Sequence, residues 1–128
     1  MKVRVSEAER QVLDWMVAEA SGTPVYRSGK TLTRMDVDGG IYWQPSTDWS
    51  QGGPIIEREK IRLDTNDHPD LWPWVANKLI RWEKREDEEM GDWPVYAEGV
   101  GDTPLIAAMR CYVTSKLGDE VDVPEELK

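Results

Sequence analysis

The sequence has no phenylalanine, a single cysteine and a single histidine. With Cys111 alone no internal disulfide forms, and a reducing compartment is expected. Cys111 and His68 together fall short of a tetrahedral structural zinc site, so no metal is expected either. The opening "MKVRVSEAER" has no apolar h-region and no long apolar run follows it, which predicts neither a signal peptide nor a membrane span. Glycine-rich nucleotide fingerprints are missing: neither G-x-G-x-x-G nor the P-loop spacing occurs. No nucleophile-elbow sequence is present for a catalytic serine. A Cys111–His68 pair would need a cysteine that its helix pattern buries and a histidine in the turn-like "NDHPD". The expectation is a non-enzymatic protein with no catalytic residues and no cofactor.

Positive charge is also scarce. Sixteen Lys and Arg stand against 25 Asp and Glu, a net charge of −9. "EKREDEE" (83–89) and "GDEVDVPEE" (118–126) hold much of the excess. Affinity for DNA or RNA rests on cations neutralising phosphates, so direct binding to a nucleic-acid polymer is not expected. A small anion in a local pocket remains open, because a pocket's field can oppose the net charge.

What the sequence does have is tryptophan: seven, with four tyrosines, in 128 residues. These side chains join an apolar body to a polar handle and are favoured at interfaces and stacking surfaces. The plainer alternative is a core in which Trp replaces Phe. A chain of this length builds one domain, taken as 1–128.

Along the chain, "KVRV" (2–5) alternates like a strand, and "SEAE" fits a capping box with Ser6 at the N-cap and Glu9 three residues on. Val12, Leu13, Met16, Val17 and Ala20 mark one face of a helix that "SGTP" ends. Residues 25–44 have β character, with turns at "SGK" and "DGG". "DVD" before "GG" reads as a turn rather than a calcium loop. "KIRLD" (60–64) predicts another strand. The segment 65–95 carries prolines at 69, 73 and 94, which exclude one long helix; "WVANKLIRW" fits either a helical turn or a strand. "WPVYAEG" reads as a short edge strand, and the acidic run before it as a solvated loop or hairpin tip. Thr103 as N-cap and Pro104 at the first helical position open "TPLIAAMRCYVTSKLG", which Gly118 closes. Its apolar face, Leu105, Ile106, Met109, Tyr112, Val113 and Leu117 with Ala108 and Cys111, predicts burial against a sheet, with Cys111 a small core residue. The expected class is α+β: a mainly antiparallel sheet with two principal helices.

The stretch "PSTDWSQGG" (45–53), followed by "PIIERE", concentrates the candidate binding groups. Gly52 and Gly53 permit positive φ, and Pro54 suits the first turn of a helix through "IIERE". Free N–H groups at such a start make an anion nest, and Arg58 adds a charge one turn on. Trp43 and Trp49 offer stacking surfaces; Thr47, Asp48 and Gln51 offer hydrogen-bonding groups. The alternative is purely local: "STDW" forms one helical turn capped by Ser46 or Thr47, the glycines break it, and Trp49 covers the core.

"STDWSQGGPIIEREKI" (46–61) and "GDTPLIAAMRCYVTSKLGDEVDVPEEL" (101–127) resemble, in order, the NinX family of lambdoid phage nin-region proteins, with a weaker match at "KVRVSEAER…LDW". The Trp-rich acidic segment at about 65–95 departs from the family pattern. The resemblance implies a phage accessory protein working in the bacterial host cytoplasm. It implies no activity and no catalytic residues, since the family's function is unknown. Three readings follow. The first is a binder of a small anionic, nucleotide-type ligand, acting as a counter-defence sponge. The second is an acidic adaptor or inhibitor of a host protein, working through Trp72, Trp74, Trp82 and Trp93 beside the acidic run. The third is an accessory role in phage DNA metabolism. A homo-oligomer is compatible with so many tryptophans in a small domain.

Overall fold

The computed structural model describes residues 1–84 and 91–128. Among these, three helices and eight strands form an α+β arrangement with three small antiparallel sheets rather than one continuous sheet. The bulk of the acidic run expected at the hairpin tip lies outside the described residues.

Strand β1 (Lys2–Arg4) pairs with β8 (Glu120–Asp122), so the two ends of the chain close on each other. Helix α1 (Arg10–Ser21) follows, ended by Gly22 in the left-handed region at φ 70°. The capping box expected at Ser6 does not form. Val5–Glu7 is instead a 3-10 turn, and α1 starts after Glu9, which makes no side-chain cap. The cause is anchoring: Val5 and Ala8 are both buried, and the chain then turns sharply through Arg10, at φ 54°.

Strands β2 (Val25–Ser28), β3 (Thr31–Arg34) and β4 (Ile41–Tyr42) make the second sheet, with Gly29 and then Gly39 and Gly40 supplying positive φ at the two turns. "DVDGG" is therefore a turn, and Asp36 in it takes a bidentate contact from Arg34 at 2.5 and 2.9 Å.

The third sheet runs β5 (Arg62–Thr65), β6 (Trp74–Lys84) and β7 (Asp92–Gly101) in that order. "WVANKLIRW" is thus strand, and the edge strand through "WPVYAEG" is longer than its sequence suggests. Pro94 is tolerated because β7 lies at an edge, where a missing N–H breaks no second ladder.

Helix α3 (Pro104–Leu117) is the centre of the molecule, with Thr103 Oγ1 accepting from the Ile106 N–H at 3.1 Å. It packs against β6 and β7 and also against α1 and α2. It is therefore buried almost all round rather than on one face; Leu117, in the last turn, is 40% exposed and drops out of the expected core face. Close approach to β7 depends on Gly99 and Gly101: a Cβ at Gly99 would strike the Ala107 carbonyl, and one at Gly101 would lie 2.7 Å from Ile106 Cγ2. Arg110 is buried in α3 without an ion pair among the described residues. Its guanidinium donates to the carbonyls of Ala8 (3.0 Å) and Val100 (2.8 Å) and lies over Trp72 at 5.6 Å. Burial pulls its pKa below the usual arginine value. Cys111 is fully buried and burial pushes its thiol up to about 12, so it is a core residue.

Candidate ligand-binding cleft

Helix α2 decides the fate of the glycine-rich stretch. It spans Trp49–Glu59 without interruption, so Gly52, Gly53 and Pro54 lie inside it. Neither glycine takes positive φ, and no break separates two helices. Asp48 is the N-cap: its Oδ1 accepts from the Ser50 N–H (2.9 Å) and the Ser50 hydroxyl (2.6 Å), while its carbonyl accepts from the N–H groups of Gln51 and Gly52. The donors expected to cradle an anion are thus engaged by Asp48 itself. Gly52 is required for a different reason. A Cβ there would collide with the Pro45 carbonyl and lie 2.6 Å from Leu105 Cδ2.

The structure separates the expected site residues. Trp49 is 54% exposed and Arg58 pairs with Glu59 at 3.1 Å. Nine residues along one helix put these two on opposite faces, about 13 Å apart along the axis. Trp43 is buried at 4% exposure, donating from Nε1 to the Asp14 carbonyl at 2.8 Å, with the Arg34 guanidinium over its ring at 5.8 Å. Gln51 is a brace: its Oε1 accepts from the Gln44 N–H and its Nε2 donates to the Tyr42 carbonyl, both at 2.6 Å.

Trp43 and Thr47 do share a cleft of about 450 Å³. Its walls are Arg10, Gln11 and Asp14 from the start of α1; Lys30, Thr31 and Leu32 from the β2–β3 turn and β3; and Tyr42, Trp43, Gln44 and Thr47 from β4 and the segment beyond it. That segment is clamped from two sides. Gln51 holds it to α2, while Asp14 Oδ1 accepts from the Ser46 N–H at 2.8 Å and ties it to α1.

The cleft's chemistry is mixed. Arg10 and Lys30 bring two cations whose side chains have no hydrogen-bond or ion-pair partner among the described residues. Tyr42 brings a ring that is 66% exposed. Asp14 is only 4% exposed, and burial pushes its carboxyl up to about 6, against the opposing pull of hydrogen bonding from Ser46. The Ser46 hydroxyl lies close enough to contribute to that pull, yet it is buried and makes no hydrogen bond of normal geometry among the described residues.

Of these residues, Arg10, Gln11, Asp14, Lys30, Tyr42 and Gln44 do not stand out in the sequence as binding groups. One signal does point to the first wall. Asp14 interrupts the apolar series Val12, Leu13, Met16, Val17, and Arg10 stands four residues before it on the same helical face. A second cavity, of about 530 Å³, is lined by Arg4 and Arg110 but also by Glu98, Asp119 and Glu120, so it has no net attraction for an anion. Among the described residues no group of acidic, histidine and cysteine side chains is arranged to hold a metal, and no helix is long and apolar enough to cross a membrane.

Three comparisons with known proteins bear on identity. No curated protein matches the chain. A 2.0 Å crystal structure of a phage protein from Bacillus cereus ATCC 14579 is similar over 86% of this chain and 90% of its own, with TM-score 0.53 and 11% identity. At that identity the likeness concerns the fold alone. The family model described as Bacteriophage P22, NinX matches residues 4–116, which takes in the cleft, α2 and all but the last residue of α3. The chain belongs to the NinX family of phage proteins.

Proposed function

We propose that this phage protein binds a small anionic, nucleotide-type ligand in the cleft between α1, β3 and the 42–47 segment, and holds it without chemical change. The observation that carries the reading is the pairing of two cations without a side-chain partner among the described residues, Arg10 and Lys30, with the exposed ring of Tyr42 in one cleft of a protein whose net charge is −9. Cations placed locally against the overall charge favour an anion at that place only. A planar ring beside them supplies a stacking surface for a base. In a phage, sequestering a nucleotide signal of the host would serve as counter-defence.

The test is a titration with linear and cyclic nucleotides, followed by intrinsic Trp fluorescence and calorimetry. Saturable one-site binding is expected. Arg10→Ala and Lys30→Ala should each weaken it by about tenfold, the scale of one charge-assisted contact. Wild-type affinity in the doubly substituted protein would refute the cleft as the site.

A second reading, an adaptor or inhibitor of a host protein, draws support from the far end of the β6–β7 hairpin. Leu79, Ile80, Trp82, Trp93 and Tyr96 are each more than 40% exposed there. Solitary exposed apolar residues are ordinary, but several on one hairpin favour a covered surface. Recovery of no stoichiometric partner from host lysate, together with a monomer at all concentrations in light scattering, would count against this reading.

A further inference from the structure

The two cations and the aromatic ring account for a phosphate and a base, but they leave Asp14 without a part. Its Oδ1 accepts from the Ser46 N–H at 2.8 Å, and that is its one well-formed side-chain hydrogen bond among the described residues. No cation pairs with it among the described residues, although Arg10 and Lys30 line the same cleft. A carboxylate this deeply buried is costly unless its oxygens are met by donors. The local fold could meet this cost more cheaply with an asparagine, whose carbonyl oxygen would accept from Ser46 equally well without burying a charge. Asp14 lines a cleft that already holds groups for the other parts of a nucleotide.

We infer that Asp14 is the specificity-determining residue of the cleft, and that the ligand is a nucleotide whose base carries an amino group. The inference rests on the cleft reading above. The base lies along Tyr42 with its amino N–H donating to Asp14, while the phosphate turns towards Arg10 and Lys30. An amino group fits because a carboxylate only accepts, whereas a base edge bearing only carbonyl oxygens would set acceptor against acceptor. Selection by a buried polar group is steep, since the wrong edge leaves that group unpaired.

The experiment compares matched pairs on unaltered protein. Adenosine monophosphate is set against purine riboside monophosphate, and guanosine monophosphate against inosine monophosphate, each pair differing by one amino group. In at least one pair the amino form should bind about tenfold or more tightly, the effect of one hydrogen bond to a charged group. In Asp14→Asn that preference should fall to about threefold or less, while Arg10→Ala weakens both members of the pair equally. Saturable binding of both pairs with no amino preference would overturn the assignment of Asp14 and leave the cleft reading standing. Equal loss of both members in Asp14→Asn, with the preference intact, would make Asp14 a brace for Ser46 and overturn the assignment likewise. Absence of saturable binding by any nucleotide would overturn both. The wild-type comparison needs no substitution, so it stands even if the variant folds poorly.

Discussion

Alanine at Gly52 and alanine at Gly53 should have very different effects, although the two glycines are neighbours in one helix. In a helix interior, Gly→Ala gains about 1 kcal/mol from backbone entropy alone. At Gly53 the new Cβ would meet only Trp49 Cε3, at 3.9 Å, an ordinary contact. The residue before Pro54 is disfavoured in the helical region when it carries a Cβ, and that cost offsets most of the gain. Gly53→Ala should therefore change stability by less than about 1 kcal/mol. At Gly52 the Cβ would enter the Pro45 carbonyl and approach Leu105 Cδ2 to 2.6 Å. One obstacle is backbone and the other is a buried core side chain, so neither yields freely. Overpacking of this kind costs about 3 kcal/mol, and the entropic gain leaves a net loss of about 2 kcal/mol. For a chain of this size that is a fall in Tm of about 7 °C. Urea denaturation followed by Trp fluorescence separates the cases: the midpoint drops for Gly52→Ala and hardly moves for Gly53→Ala. A Gly52→Ala midpoint equal to or above wild type would refute the close approach of α2 to the 45–46 segment, and with it the present shape of the cleft wall.

Other expectations follow from the titrating and buried groups. Asp14 has its carboxyl raised from 3.8 to about 6 in the folded protein, so it binds a proton more tightly folded than unfolded. Its contribution to stability is therefore full at low pH and declines between those two values, by up to about 3 kcal/mol; Asp14→Asn should remove the decline, which urea midpoints compared at about pH 4 and pH 7 largely capture. Glu59 behaves in the opposite sense: hydrogen bonding from Arg58 and the charges of Lys116 and Lys78 outweigh a burial effect and hold its carboxyl below the usual value, so its stabilisation is lost as pH falls. Glu59→Gln should cost about 1 kcal/mol at neutral pH, less at high salt, by denaturation in parallel series. Cys111, with its thiol near 12 and fully buried, should react with a thiol reagent only as fast as the protein opens. Rapid labelling of the native protein would contradict its placement in the core.

The sequence made the periodic elements legible and missed what depends on long-range contact. Helix α3 could be read from Thr103, Pro104 and Gly118 because caps are local chemistry, and α1's end from Gly22 for the same reason. The start of α1 was not legible, because Val5 and Ala8 are fixed by the core and override the local preference at Ser6. The glycine pair was misleading in a similar way. Two glycines before a proline suggest a bend, but the need at Gly52 comes from Pro45 and Leu105, and the latter is distant in sequence. The cleft was legible only at Trp43 and Thr47. Its other groups come from three separate stretches, and only folding brings Arg10, Lys30 and Tyr42 together. Exposure split the tryptophans: Trp43 fills the core, as a phenylalanine would, whereas Trp49, Trp72, Trp82 and Trp93 remain at least 45% exposed.

Departures from ordinary folding rules are few in this protein, and their positions are informative. Lys60 has positive φ, but it ends α2, where a left-handed residue is common. Arg110 buries a charge, but two carbonyls and Trp72 compensate it. Three other departures are less fully compensated: Arg10 and Asp14 line the cleft, and Ser46 lies in the chain segment between its wall residues Gln44 and Thr47. Arg10 takes positive φ where the chain turns sharply from the anchored Val5–Ala8 stretch into α1, a conformation that glycine would adopt with less strain. Asp14 is a buried carboxyl whose ionisation weakens the fold at neutral pH. Ser46, bonded to Asp14 through its N–H, buries a hydroxyl without a well-formed hydrogen bond among the described residues. Each is individually costly, and a sequence selected for stability alone would replace them with a residue that fits, such as glycine, asparagine or alanine. Strain and unmet polar groups collected in one place are what a binding site costs its scaffold. On that ground the cleft, rather than the exposed hairpin, is where function is best sought: exposed aromatic residues burden the fold little, whereas Arg10, Asp14 and Ser46 draw directly on its stability.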